Sequence, residues 1–294
     1  MVVARASSSE ARRSPRKPLG MLLTPRDLAV LASVYQMRQL SRDQLVRLHF
    51  QGLAEKPGVW SSAVPGRVLR KLTENDYLAA RPQPVVRPGG RPPLVYSLGP
   101  NAAPYVARAL NLAVATVLAR ASQDTKLSWL FYAHRSAIAD ARIALALAAE
   151  NTGYTLTWYA DEQLANLHES VKVAGKQLPI RPDAFLALHG DRQTACFIEV
   201  QLASEPRAYL KKASAYEPYY TSGAYTKRFG FKSMRVLALT DTDTRAANLH
   251  AAISASPLSL KDMFWSASLE RFCAQPFTSL WFVGGEHAQS RLLG

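Results

Sequence analysis

Cysteine is scarce: Cys196 and Cys273 are the only two in 294 residues. Two thiols cannot build a disulfide framework or a four-cysteine zinc site, and they point to a reducing compartment. No stretch approaches the roughly 18 uncharged apolar residues that cross a bilayer. The opening MVVARASSSEARRSPRKPLG is basic and has no apolar central segment, so it reads as a solvated arm and not as a secretory leader. A glycine-rich phosphate loop and a GxSxG elbow are missing. The six histidines, His49, His134, His168, His189, His250 and His287, show neither HExxH nor another paired ligand spacing.

What is present is an ordinary globular composition, 48% apolar and 20% charged, in a chain whose length favours two domains. The charge is uneven. Formal net charge is +14, and residues 1–99 supply 16 Lys and Arg against 6 Asp and Glu. A localised positive field of this kind attracts a polyanion, and double-stranded DNA is the first partner to expect. No basic amphipathic helix with a large apolar face favours a membrane surface instead.

The N-terminal segment predicts short helices and a hairpin. Thr24-Pro25-Arg26-Asp27 opens a helix: Thr24 caps, proline suits the first helical position, and Asp27 complements the positive end. Leu28, Leu31, Ala32 and Tyr35 follow at helical spacing. Ser41 with Gln44 reads as a capping box for a second helix carrying Arg42. A loop through Gly58 leads to a third helix over about Ser62–Asn75, with Val68, Leu69 and Leu72 inward and Arg67, Arg70 and Lys71 on the other side. Strands at 77–81 and 94–98 flank a tip with five prolines and two glycines, which carries Arg87 and Arg91. This order predicts a winged helix-turn-helix at 21–101, after a basic disordered arm at 1–20. The third helix would enter the major groove, and the wing would meet phosphates or the minor groove. A solvated basic face, or a protein-docking version of the same fold, is the alternative.

An alanine- and leucine-rich helix is expected from Ala103 to Arg120, within a linking segment 102–124. A second is expected from about Thr125 to Glu150, with His134 on its apolar face. Both are able to pair two subunits, so a homodimer stays open. Strand patterns at 154–159, 180–188, 194–201 and 234–240 follow. Helices capped by Ser204 and begun at Thr242 complete the expected pattern. The order α-β-β-β-α-β predicts a mixed sheet in an α+β or α/β domain at 125–294.

Within it, Pro182-Asp183 is followed after fifteen residues by Glu199-Val200-Gln201. This resembles the PD-(D/E)xK nuclease pattern, with glutamine where lysine belongs. Two carboxylates on neighbouring strands can hold Mg²⁺ or Mn²⁺, which polarises a phosphate and activates water. A lysine beside them steadies the charge. Lys212 on the next helix is placed to replace it, with Gln201 orienting water. The two carboxylates share a sheet face only if pairing keeps its parity, which a three-residue loop at 190–192 provides. The structural alternative has Asp183 serving a turn and Glu199 pairing with Lys212 or His134. Tyr216, Tyr219 and Tyr220 read as a packed aromatic face, because the histidine cluster of a relaxase is missing.

From about Leu23 to Leu249 the ordered segments resemble the bacterial replication-relaxation family. They are the hairpin closing on Arg91-Pro-Pro-Leu-Val-Tyr-Ser-Leu-Gly99, the His134 helix, Arg181-Pro182-Asp183, Phe197-Ile-Glu199-Val, Lys212-Ala-Ser-Ala-Tyr216 and Arg235-Val-Leu-Ala-Leu-Thr. The resemblance implies DNA binding in plasmid or mobile-element replication, relaxation or its control, in a cytoplasmic, nucleoid- or plasmid-associated setting. The family pattern favours aspartate two residues after the glutamate; Gln201 stands there and removes a ligand. The expectation is a DNA-binding protein with a degenerate nuclease-like domain. The alternatives are an active metal-dependent nuclease using Asp183, Glu199, Gln201 and Lys212, and a winged-helix transcriptional regulator.

Overall fold

The computed structural model describes residues 22–51, 63–84, 93–160, 162–165, 169–202, 205–286 and 289–293. The basic arm, Arg87, Arg91 and Ser204 lie outside the described residues. The chain divides into two compact units, residues 1–127 and 128–294.

The first unit runs α1 (Pro25–Met37), β1 (Leu40–Ser41), α2 (Arg42–His49), α3 (Ala63–Glu74), β2 (Leu78–Pro82), β3 (Leu94–Leu98), α4 (Ala103–Leu110) and α5 (Val114–Asp124). Both N-terminal caps form as the sequence predicts. Thr24 Oγ1 accepts from the Asp27 amide at 3.2 Å, and Asp27 Oδ2 accepts from the Thr24 amide at 2.9 Å. Ser41 and Gln44 repeat the exchange. Each box satisfies amides that a helix start leaves without partners. Val30, Leu31 and Val34 of α1 bury with Leu45, Leu69, Leu72, Leu78 and Leu98. The strands pair antiparallel in the order β1-β3-β2. Gly99 closes the hairpin where any Cβ would stand 2.2 Å from the Asp76 carbonyl oxygen.

The helix expected at 103–120 is two helices. Asn111 takes a left-handed conformation, φ 52°, and ends α4. Asparagine tolerates that conformation, so it stops a helix that composition alone would continue. A buried charge ties α5 to this unit. Asp124, 1% exposed, meets Arg38 Nε at 2.7 Å and Arg120 Nε at 3.9 Å. Its carbonyl accepts from Gln39 Nε2 at 3.1 Å, and Arg120 covers the Tyr35 ring at 4.8 Å. Arg81 reaches the carbonyls of Thr125 and Leu127.

The second unit opens with a 3-10 turn at Trp129–Phe131, so Thr125 ends α5 and does not start the next helix. It continues with α6 (Tyr132–Thr152), β4 (Thr155–Ala160), α7 (Glu162–Ala165), β5 (Ser170–Val173), β6 (Lys176–Pro179), β7 (Ala184–His189) and β8 (Thr194–Gln201). Then come α8 (Pro206–Thr221), α9 (Ala224–Phe229), β9 (Arg235–Thr240), α10 (Asp243–Ser254), β10 (Phe264–Ser268), α11 (Leu269–Ala274), β11 (Trp281–Val283) and β12 (Gln289–Ser290). Seven strands form one mixed sheet, β12-β11-β10-β9-β8-β7-β4, and β5-β6 is a separate hairpin. Strands β8, β9 and β10 run parallel; the others pair antiparallel. With its helices, the chain is an α+β protein.

All eight residues of β8 are buried, because both faces of the sheet are covered. Leu186, Cys196, Ile198 and Val200 pack with α6 and α11 on one face. Phe185, Ala187, Ala195 and Phe197 pack with α8, α9 and α10 on the other.

Candidate functional site

The β7–β8 register decides where the two carboxylates stand. Leu188 pairs with Thr194 and Ala184 with Ile198. The paired ladder ends at Ala184–Ile198, and its parity is the one that a three-residue loop at 190–192 gives. Asp183 lies just ahead of β7, where its amide donates to the Ile198 carbonyl at 3.0 Å. Its side chain leaves the ladder: Oδ2 accepts from the Val200 amide at 2.7 Å and lies 3.3 Å from His134 Nε2 of α6.

Glu199 is fully buried, on the side of the sheet that α8 covers. Lys212 Nζ of α8 donates to its Oε2, and the Tyr216 hydroxyl, one turn along, donates to its Oε1. Burial pushes the Glu199 carboxyl up to about 8, while Lys212 pulls it down and the Asp183 charge adds to the rise. Tyr216 rises well above an ordinary phenol for the same reason, burial first and the Glu199 charge second. Tyr209, 2% exposed on the same face of α8, has a buried hydroxyl without a hydrogen-bond partner among the described residues.

Both Glu199 oxygens are engaged by α8, and Asp183 is held by the Val200 amide and His134 of α6. Among the described residues, no group of three or more His, Cys, Asp or Glu is placed to hold a metal ion. Gln201 is also buried, and lines a small cavity of about 150 Å³ with Glu205, Thr240 and Arg245. The sequence offers Lys212 as a substitute for the motif lysine, or Lys212 or His134 as the partner of Glu199, and marks Tyr216 only as a packing residue. The signal for Tyr216 is its four-residue spacing from Lys212, which puts both on one helix face. No sequence pattern sets His134 beside Asp183; only the three-dimensional fold brings 134 to 183.

Asp183 and His134 line an open cleft of about 710 Å³ with Phe131, Arg135 and Arg181. A second cleft, about 830 Å³, is lined by Lys172, Tyr219, Lys227 and Arg228. Glu169 and Ser170 border both clefts.

In the first unit, α3 buries Pro65, Leu69 and Leu72 and exposes Arg67, Arg70 and Lys71. The two sets lie on opposite sides, as the helical period requires. Arg70 approaches Glu74 at 3.8 Å, and Arg67 leans on the Ala63 carbonyl at 3.4 Å. Arg42 lies 4.0 Å from Asp43 at the start of α2. Arg38, Arg81 and Arg120 are absorbed by the fold and belong to no exposed basic face.

A family model described as Replication-relaxation matches residues 31–233. The chain belongs to the replication-relaxation family. No curated protein and no solved structure matches the chain at a significant level. The replication-relaxation match takes in α3, the β2–β3 hairpin, His134, Asp183, Glu199, Gln201 and Lys212, and it stops before β9. It supports a role in replication or relaxation. No helix among the described residues is long and apolar enough to cross a membrane.

Proposed function

We propose that the protein grips duplex DNA through its first unit, built as a winged helix, and acts in replication or relaxation of plasmid or mobile-element DNA. The observation that carries this reading is the exposed Arg67, Arg70 and Lys71 stripe, set opposite the buried face of α3. The order helix–strand–helix–helix–hairpin, with a short β1 closing on β3, supports it. In such a fold the third helix lies in the major groove and basic side chains meet phosphates and base edges.

The test is a salt titration of duplex binding. Affinity falls steeply as salt rises, through counterion release. Replacing Arg67, Arg70 and Lys71 by alanine weakens binding, and the log–log slope falls by about 0.9 for each phosphate that is no longer neutralised. Binding that ignores salt, or no binding to any duplex at low salt, overturns the reading.

The second unit we read as a nuclease-like domain turned to structural or assembly use. The capture of Glu199 by Lys212 and Tyr216, and of Asp183 by His134 and the Val200 amide, supports that reading. One observation favours an active metal-dependent nuclease instead: the β7–β8 ladder keeps the parity that the pattern demands, and Lys212 lies against Glu199. Purified protein with Mn²⁺ separates the two. The structural reading expects supercoiled, linear and single-stranded DNA to stay uncut. Cleavage that Asp183→Ala abolishes, with duplex binding retained, establishes the enzyme.

A further inference from the structure

We infer that the two clefts of the second unit together hold a single strand of nucleic acid, a site separate from the duplex grip assigned to α3. The clefts adjoin, since Glu169 and Ser170 line both. Cations are spread along them: Arg181 in the first, Lys172, Lys227 and Arg228 in the second. All four are exposed, and none makes an ion pair with another described residue. Two carboxylates share the clefts with these four cations, and each is held by its own hydrogen bond. Glu169 accepts from the Tyr219 hydroxyl, and Asp183 from the Val200 amide beside His134.

One phosphate needs one cluster of cations. Cations distributed over two neighbouring clefts fit a ligand with repeated phosphates. Phe131 lines the first cleft with 61% of its surface exposed, and Leu130 beside it is 79% exposed. An exposed aromatic ring in the same cleft as Arg181, a cation with no ion pair among the described residues, is the combination that stacks an unpaired base. A duplex keeps its bases stacked inside and offers that ring nothing. The occupant is therefore single-stranded.

The test uses the full chain and fluorescence anisotropy with an oligodeoxythymidylate of about 12 nucleotides, within the usual length range of such sites. The combined Arg181→Ala, Lys227→Ala and Arg228→Ala variant weakens that binding at least about tenfold and lowers its salt slope by about 0.7 for each phosphate released. Phe131→Ala alone weakens it by about tenfold, the worth of one stacked base. Duplex affinity is unchanged in both. The α3 alanine variant behaves in the opposite way, so failure of the duplex reading and failure of this one are distinguishable. Thermal melting checks that each variant is folded; if the combined one is not, Arg228→Glu and Arg181→Glu are measured singly. The inference is overturned if the chain does not bind the oligonucleotide or if folded cleft variants bind it unchanged. It is equally overturned if thymidine monophosphate competes as well as the strand does.

Discussion

Glu199 is a residue of the second unit whose titration burial plainly alters. It is a carboxyl with no exposed surface, held by one ammonium and one phenol. Its proton is bound more tightly in the folded chain than in the unfolded one, because burial opposes the charge. A carboxyl raised in the folded state contributes stability below its unfolded value of 4.5, and loses that contribution as pH climbs through about 8. Melting temperature therefore declines across that window. Glu199→Gln, which keeps the shape and stays neutral, flattens the decline. Lys212→Met removes the cation that opposes the rise and moves the upper end of the window higher. A decline in wild type that survives unchanged in Glu199→Gln contradicts this account.

Elements show what the sequence discloses and what it hides. Helices α1 and α2 are legible to the residue, because Thr24 with Asp27 and Ser41 with Gln44 are local signals that need no distant partner. The inward and outward sides of α3 are legible for the same reason: one helical period sorts Leu69 and Leu72 from Arg67, Arg70 and Lys71. The break at Asn111 is not, since a single left-handed residue leaves no trace in apolar spacing. Nor is the attachment of α5. It depends on Asp124 meeting Arg38, 86 positions away, and charges at that separation have no pattern. The candidate site divides likewise. The parity of the β7–β8 ladder is the one expected of a three-residue loop, and Lys212 is one of two partners open to Glu199, whereas His134 beside Asp183 requires the sheet to be wrapped by α6. The α5 attachment makes a prediction. Asp124→Ala leaves Arg38 and Arg120 half-buried and short of their counter-charge, which costs about 3 kcal/mol. Urea unfolding, followed by a signal from the first unit, measures it. A loss below about 1 kcal/mol would show that the buried pair contributes little.

On the scale of the whole molecule, the family match and the folded unit do not end together. The match stops at residue 233, yet four of the seven sheet strands, β9 to β12, come later. Sequence patterns carry the sheet only as far as β9 and the helix after it. The strands at 264–268 and 281–283 are short and follow a Ser- and Pro-containing stretch, so their alternation is weak. A chain cut after residue 233 loses β9 and leaves β8, buried along its whole length in the intact sheet, with a bare edge. Unpaired edges of that kind aggregate. The expected outcome is an insoluble second unit, seen by sedimentation, while the same cut leaves the first unit's melting transition in place. A soluble, cooperatively folded truncated chain would refute this.

The same arrangement sets an order of events at the ribosome. Strand β8 leaves the exit tunnel with β7 already available to it, but its parallel neighbour β9 is translated only after two helices have passed. During that interval the nascent polypeptide displays a strand that the finished fold buries end to end, half-paired, and a holdase-type chaperone has something to protect.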